Sequence, residues 1–159
     1  IVGEICCFMS SEFAWNTSNP ILALFFMYSS SLSLWRVTHP NEVYALYEDQ
    51  YAERHEPLEA PRAIICVAYT NSVATNEDEL KNNSNPNTAM FYTVWSYDKG
   101  AGREIVNNVS ELIKNTKPEI NRHVTLSPKT EMARKFHINN GAFQLQENDN
   151  TINYEYLLT

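Results

Sequence analysis

The sequence predicts one α/β domain built on a mixed sheet, and three observations carry that expectation. Arg62 to Thr70 (RAIICVAYT) is a continuous apolar run with the length of a strand covered on both faces. Thr88 to Tyr97 (TAMFYTVWSY) is a second such run, leading directly into Asp98-Lys99-Gly100-Ala101-Gly102. Beyond it, helical and extended patterns alternate to the end of the chain. The 159 residues suffice for a single domain, 1–159, with a sizeable core, but not for two. Its readable core is 41–159, whereas 1–40 form an N-terminal segment of little legible pattern.

Taken in order, Val43 to Tyr47 (VYALY) reads as a short strand of β-branched and aromatic residues. The strand Arg62 to Thr70 follows a polar, proline-punctuated loop. Asn71 to Thr88 holds a short acidic piece with helical character and then the loop-forming cluster KNNSNPN. After the strand Thr88 to Tyr97, a helix is expected over Arg103 to Asn115. Ile105, Val109, Leu112 and Ile113 share one face of it, and Lys117-Pro118 closes it. Val124 to Leu126 is a brief strand. Ser127-Pro128 then reads as a helix start, with serine as the cap and proline in the first turn. Met132 and Phe136 share a face of that helix, and Gly141 ends it. Two strands close the chain, around Ala142 to Gln146 and Thr151 to Leu158, separated by Glu147-Asn148-Asp149-Asn150. A right-handed crossover is expected around the helix that follows the glycines.

Composition narrows the function classes. Lys plus Arg total 12 against 19 Asp plus Glu, a formal charge of -7, which argues against a general nucleic-acid binder. Cys6, Cys7 and Cys66 offer neither a disulfide framework nor zinc-ligand spacing, so no metal is expected. Reduced thiols fit a cytoplasmic setting, with Cys66 a small core residue. The apolar run Ile21 to Tyr28 is too short to span a membrane and reads as a buried element or part of an interface. A homo-oligomer is compatible with that last reading.

Chemistry concentrates at a few positions. DKGAGRE opens a helix after a strand, so Gly100, Ala101, Gly102 and Arg103 offer free N–H groups and a partial positive charge suited to a pyrophosphate. Glu104 in the first turn of that helix is favourable whatever its role. In KFHINNGAF, His137 stands just before the end of a helix, where the dipole favours its cationic form. Ser127 and Tyr156 have ordinary readings as a helix cap and a half-buried strand aromatic.

Together these segments resemble a known family. The strand–glycine-loop–helix order is similar to the acyl-CoA-binding half of the GNAT acyltransferase fold, with Tyr97 where that family usually carries Gln or Arg. The ordered set PRAIICVAYTNSV, AMFYTVWSYDKGAGREI, TLSP, FHINNGA and INYEY resembles, over Val43 to Leu158, the GNAT-like catalytic domain of malonyl-CoA decarboxylases. The chain looks like a short, divergent member. It carries one helix between Ser127 and His137 where the family has a helical insertion, and Asn41-Glu42 where the family has a basic pair. The resemblance implies catalytic roles for Ser127, His137, Glu104 and Tyr156. Alignment on Gly102 gives Glu104, and a gap shifted along the helix would give Asn107.

What the resemblance implies is decarboxylation of malonyl-CoA, or a related malonyl thioester, to acetyl-CoA and carbon dioxide, within fatty acid metabolism. The coenzyme A thioester is then the substrate and the electron sink, and no separate cofactor is required. In that scheme His137 is the general acid with a pKa near the working pH, Glu104 holds its tautomer, Ser127 binds carboxylate or enolate, and Tyr156 donates to the thioester oxygen or positions the imidazole. Two alternatives share the same cleft: an acyl-CoA-dependent N-acyltransferase, and a non-catalytic acyl-CoA-binding module.

Overall fold

The computed structural model describes residues 5–8, 42–46, 61–81 and 84–157. The run Ile21 to Tyr28 and Tyr47 lie outside them. The described elements are strands β1 (Ile5–Phe8), β2 (Glu42–Leu46), β3 (Ala63–Thr70) and β4 (Thr88–Ser96), helix α1 (Ala101–Thr116), β5 (Arg122–Thr125), β6 (Ser127–Pro128), helix α2 (Glu131–Asn139), β7 (Ala142–Glu147) and β8 (Thr151–Tyr156). The acidic piece forms a single 3-10 turn, Glu77–Leu80, capped by Asn76, whose side chain accepts from the backbone N–H groups of Asp78 and Glu79.

All eight strands join one mixed sheet in the order β1-β2-β3-β4-β5-β8-β6, with β7 on the other edge of β8. The pairings are antiparallel except β4 with β5, which run parallel with α1 as their connection. The mixed α/β architecture expected from the sequence is therefore the one observed.

Alternation of side chains divides the sheet between two cores. Ala63, Ile65 and Val67 of β3 and Ala89 and Phe91 of β4 face α1, where Ile105, Val106, Val109 and Ile113 cover them. Cys66, Ala68, Met90, Tyr92, Val124 and Leu126 line the opposite face with Ala74 and Leu80. Burial on both faces explains the unbroken apolar run of β3. Methyl groups packed this tightly carry most of the stability: truncating Ile105, which is fully buried, to Ala should cost about 2–5 kcal/mol.

Two features shape the site. The parallel ladder pairs only Thr88–Phe91 with Arg122–Thr125, and beyond Phe91 the strand β4 continues to Ser96 without β5 beside it. The β5 chain turns instead toward β8, first through His123↔Tyr156 and Val124↔Glu155, then through Ser127↔Ile152. A wedge thus opens at the carboxyl ends of two parallel strands, the position at which open α/β sheets bind ligands.

The second feature corrects the expected helix start at Ser127-Pro128. Those two residues form β6, and Thr130 caps α2 by accepting from the N–H of Ala133 at 3.2 Å. The Ser127 hydroxyl is engaged elsewhere, and Pro128 costs nothing on a two-residue strand end. Met132, which shares a face with Phe136 in the sequence pattern, is 81% exposed. The inward stripe of α2 is Ala133, Phe136, His137 and Asn140, spaced i, i+3, i+4, i+7, and Met132 lies one residue off it. Gly141 ends the helix at φ 90°, a conformation that glycine adopts without strain.

Candidate active site

Three of the sequence-predicted residues meet at the wedge. The Ser127 Oγ lies 2.7 Å from His137 Nε2, and the Tyr156 hydroxyl lies 2.9 Å from His137 Nδ1. Each comes from a different element: Ser127 from β6, His137 from the last turn of α2, Tyr156 from the end of β8. All three are almost fully buried, at 4%, 5% and 8% exposure. Tyr154 stacks on the imidazole with centroids 4.9 Å apart, and Phe136 meets it edge-on at 5.1 Å.

The direction of these hydrogen bonds follows from where the Ser127 hydrogen points. Ser127 Oγ donates to Thr125 Oγ1 at 3.0 Å. A serine hydroxyl has one hydrogen, so toward His137 its oxygen must accept. His137 then carries its proton on Nε2, leaving Nδ1 as an acceptor that the Tyr156 O–H fills. The chain runs Tyr156 O–H to His137 Nδ1, His137 Nε2–H to Ser127, Ser127 O–H to Thr125. It is polarised throughout and presents a donor at Ser127.

Burial sets the protonation states. It lowers the His137 pKa to about 4, so the ring is neutral near pH 7. Desolvation thus outweighs the helix terminus, against the cationic, dipole-stabilised form expected from its place at a helix end. Burial also raises the Tyr156 hydroxyl well above its ordinary value, keeping it a hydrogen donor.

Glu104 does not join this chain. It accepts from Arg62 Nη1 at 3.3 Å, while Arg62 Nε bonds Asp98 at 3.2 Å. Both imidazole nitrogens already have partners, Ser127 and Tyr156, and the Glu104 carboxylate bonds Arg62 instead. The glycine turn also departs from expectation. The N–H of Ala101 bonds Asp98 O, that of Gly102 bonds Ser96 Oγ at 3.0 Å, and those of Arg103 and Glu104 bond Gly100 O. Of the N–H groups expected to be free for a ligand, those of Ala101, Gly102 and Arg103 are engaged within the turn. At Gly102 the close approach is to the protein itself: a Cβ would stand 3.1 Å from Ser96 Cβ and 3.2 Å from Phe136 Cε2. The glycine lets α2 lay Phe136 against the start of α1, and Phe136 abuts His137.

Sequence reasoning passed over Thr125, Asn153, Tyr154 and Arg62. The signal for Thr125 was present as period two in HVTLS, where His123, Thr125 and Ser127 alternate with the core residues Val124 and Leu126. His123 is fully buried, and neither of its ring nitrogens has a hydrogen-bond partner among the described residues. No helix among those residues is long and apolar enough to cross a membrane, and none of their His, Cys, Asp and Glu side chains group so as to hold a metal ion.

The sheet, its wedge and the helix after β4 define the GNAT-type acyltransferase fold, which solved structures share. More specifically, the chain is similar to malonyl-CoA decarboxylase from Cupriavidus metallidurans, with a TM-score of 0.69 and 14% identity over 98% of this chain. The enzyme of the same name from Agrobacterium vitis gives 0.68 and 14% over 97%. The chain spans 61% and 60% of those two proteins. The N-acetyltransferase PseH of Campylobacter jejuni gives 0.59 and 12%, covering 98% of this chain and 99% of that one. No protein-family model matches the chain, and no curated protein matches it in sequence.

Proposed function

We propose that the chain is an acyl-CoA-dependent enzyme that decarboxylates malonyl-CoA, or a related malonyl thioester, to the acetyl thioester and carbon dioxide. The single observation that carries this reading is the polarised chain Tyr156–His137–Ser127 ending in a hydroxyl donor beside the wedge. Decarboxylation breaks the bond between the α-carbon and the carboxylate, and its electron pair moves into the thioester carbonyl. Carbon dioxide leaves, and the enolate carbon then takes one proton, which solvent replaces.

A donor is what such an enolate needs, and the chain holds one in a dry site where it acts strongly. As negative charge develops, the Ser127 O–H turns from Thr125 to the substrate while still accepting from His137 Nε2–H. The anion beside it raises the affinity of the imidazole for a proton. His137 is the general acid: its Nε2 proton passes to Ser127 as the Ser127 hydrogen, in contact with substrate, passes to the carbon. Tyr156 gives its own proton to Nδ1, and solvent restores the Tyr156 hydroxyl. The turn Gly100, Ala101, Gly102 and Arg103 is assigned to the pyrophosphate of coenzyme A. Binding there exchanges the Ser96 Oγ on Gly102 N–H for a phosphate oxygen, with Lys99 and Arg103 exposed alongside. Glu104 and Arg62 brace that turn.

A second reading, acetyl transfer to an amine, draws on the fact that an N-acetyltransferase matches the chain over essentially its whole length. Incubation with malonyl-CoA, following acetyl-CoA and carbon dioxide, separates the two. Folded protein that leaves malonyl-CoA intact and consumes acetyl-CoA only when an amine is added would replace the first reading with the second.

A further inference from the structure

We infer that Thr125 is a positioning residue that fixes the proton polarity of the Ser127–His137–Tyr156 chain. The inference rests on the reading of that chain as a donor and deepens it. Thr125 ends β5 and is 1% exposed. Its Oγ1 accepts from two groups: the backbone N–H of Tyr154 at 3.1 Å and the hydroxyl of Ser127 at 3.0 Å. A threonine oxygen has two lone pairs, so these two donors fill it.

The threonine is itself held in place. Its carbonyl accepts from Asn153 Nδ2 at 2.7 Å, and the same amide group donates to Ala74 O at 2.9 Å. The Asn153 Oδ1 in turn accepts from Gln146 at 3.0 Å and Asn148 at 2.8 Å. Asn153 is completely buried and ties β5, β7, β8 and the segment after β3 to one point. The rigid hub of Asn153 and the Tyr154 N–H therefore orient Thr125, and Thr125 takes the only hydrogen of Ser127.

The consequence reaches the histidine. With its hydrogen on Thr125, Ser127 must accept from Nε2–H, and the imidazole is locked as a donor toward the substrate side. Without the threonine hydroxyl, the Ser127 hydrogen is free to turn to Nε2, and the ring proton moves to Nδ1, donating to Tyr156. The same side chains in the same places would then form a base, which suits removal of a proton and not its delivery.

The test is Thr125→Val, which keeps shape and removes the acceptor, with Thr125→Ser restoring it, each checked for cooperative melting. Nitrogen-15 and ring carbon-13 shifts of His137 report the tautomer directly, without any substrate. The expected result is Nε2–H in the wild type and in Thr125→Ser, and Nδ1–H in Thr125→Val. In turnover of malonyl-CoA, Thr125→Val should lose about 100-fold in kcat with KM nearly unchanged, and Thr125→Ser should recover most of it. An Nδ1–H tautomer in the wild type overturns the inference even if the valine variant does not fold. So does an unchanged tautomer in folded Thr125→Val. A tautomer switch in a protein that does not turn over malonyl-CoA upholds the positioning role and removes the proposed reaction.

Discussion

Two buried polar clusters sit at opposite ends of the sheet, and they are built differently. Near the end of α1, Glu42 is 6% exposed and accepts from the hydroxyls of both Tyr44 and Tyr69. Lys117 Nζ lies 3.0 Å from the same carboxylate and over the Tyr69 ring. Burial, with Glu42 next, drives the Tyr69 hydroxyl far above its usual range. That cluster contains a full charge pair, with Tyr44, Tyr69 and Lys117 converging on one carboxylate. At the wedge, Ser127, His137 and Tyr156 are neutral, and their hydrogens all run one way. A saturated ion pair resists change because altering either member strands a buried charge. A neutral, directional chain can pass a proton along by shifting each hydrogen across one hydrogen bond. The first arrangement suits holding strands together; the second suits chemistry.

Substitution separates the two. His137→Ala should lower turnover of malonyl-CoA by about 100-fold or more while leaving a folded protein, because it removes the proton source. Lys117→Met should do the reverse. It leaves turnover within a few-fold, and stripping the partner from buried Glu42 should cost about 3 kcal/mol of stability, read by denaturant unfolding.

Acidity provides a second contrast. Burial lowers both His137 and His123 to about 4, from an unfolded value of 6.5. The unfolded chain therefore binds more protons than the folded one between those values. Stability from this source is fully present above pH 6.5 and is lost as pH falls toward 4, by about 3 kcal/mol for each histidine. His123→Phe should roughly halve that slope, as measured by melting across the window. An unchanged slope would show that His123 is not held neutral by the fold.

Smaller effects are expected at the turn. Gly102→Ala pushes a methyl group against Ser96 and Phe136 and should cost about 1–3 kcal/mol, with a loss of turnover transmitted through Phe136 to His137. Arg62→Gln breaks ion pairs to Asp98 and Glu104, which are 56% and 37% exposed, and should cost less than about 1 kcal/mol.

The difference between the clusters also marks what could be read from the sequence. The strands β3 and β4 were legible as continuous apolar runs, and the helix α1 by its periodic apolar stripe. Ser127, His137 and Tyr156 were legible as members of ordered motifs. Their hydrogen-bond directions were not, since these depend on Thr125 and on the backbone N–H of Tyr154, brought together by the pairing of β5 and β8. The helix start at Ser127-Pro128 was misread because local capping signals cannot tell whether a serine hydroxyl serves a helix end or a distant histidine. That Ser96 bonds the N–H of Gly102 in the glycine turn was likewise not legible in the sequence. Glu42 and Lys117 lie 75 residues apart and gave no local signal at all.

The most direct test of the central claim is a single incubation of the folded wild-type protein with malonyl-CoA. The account predicts acetyl-CoA and carbon dioxide in equal amounts, with formation of both lost in His137→Ala. Intact malonyl-CoA after incubation with the wild type, or equal turnover by His137→Ala, would contradict it.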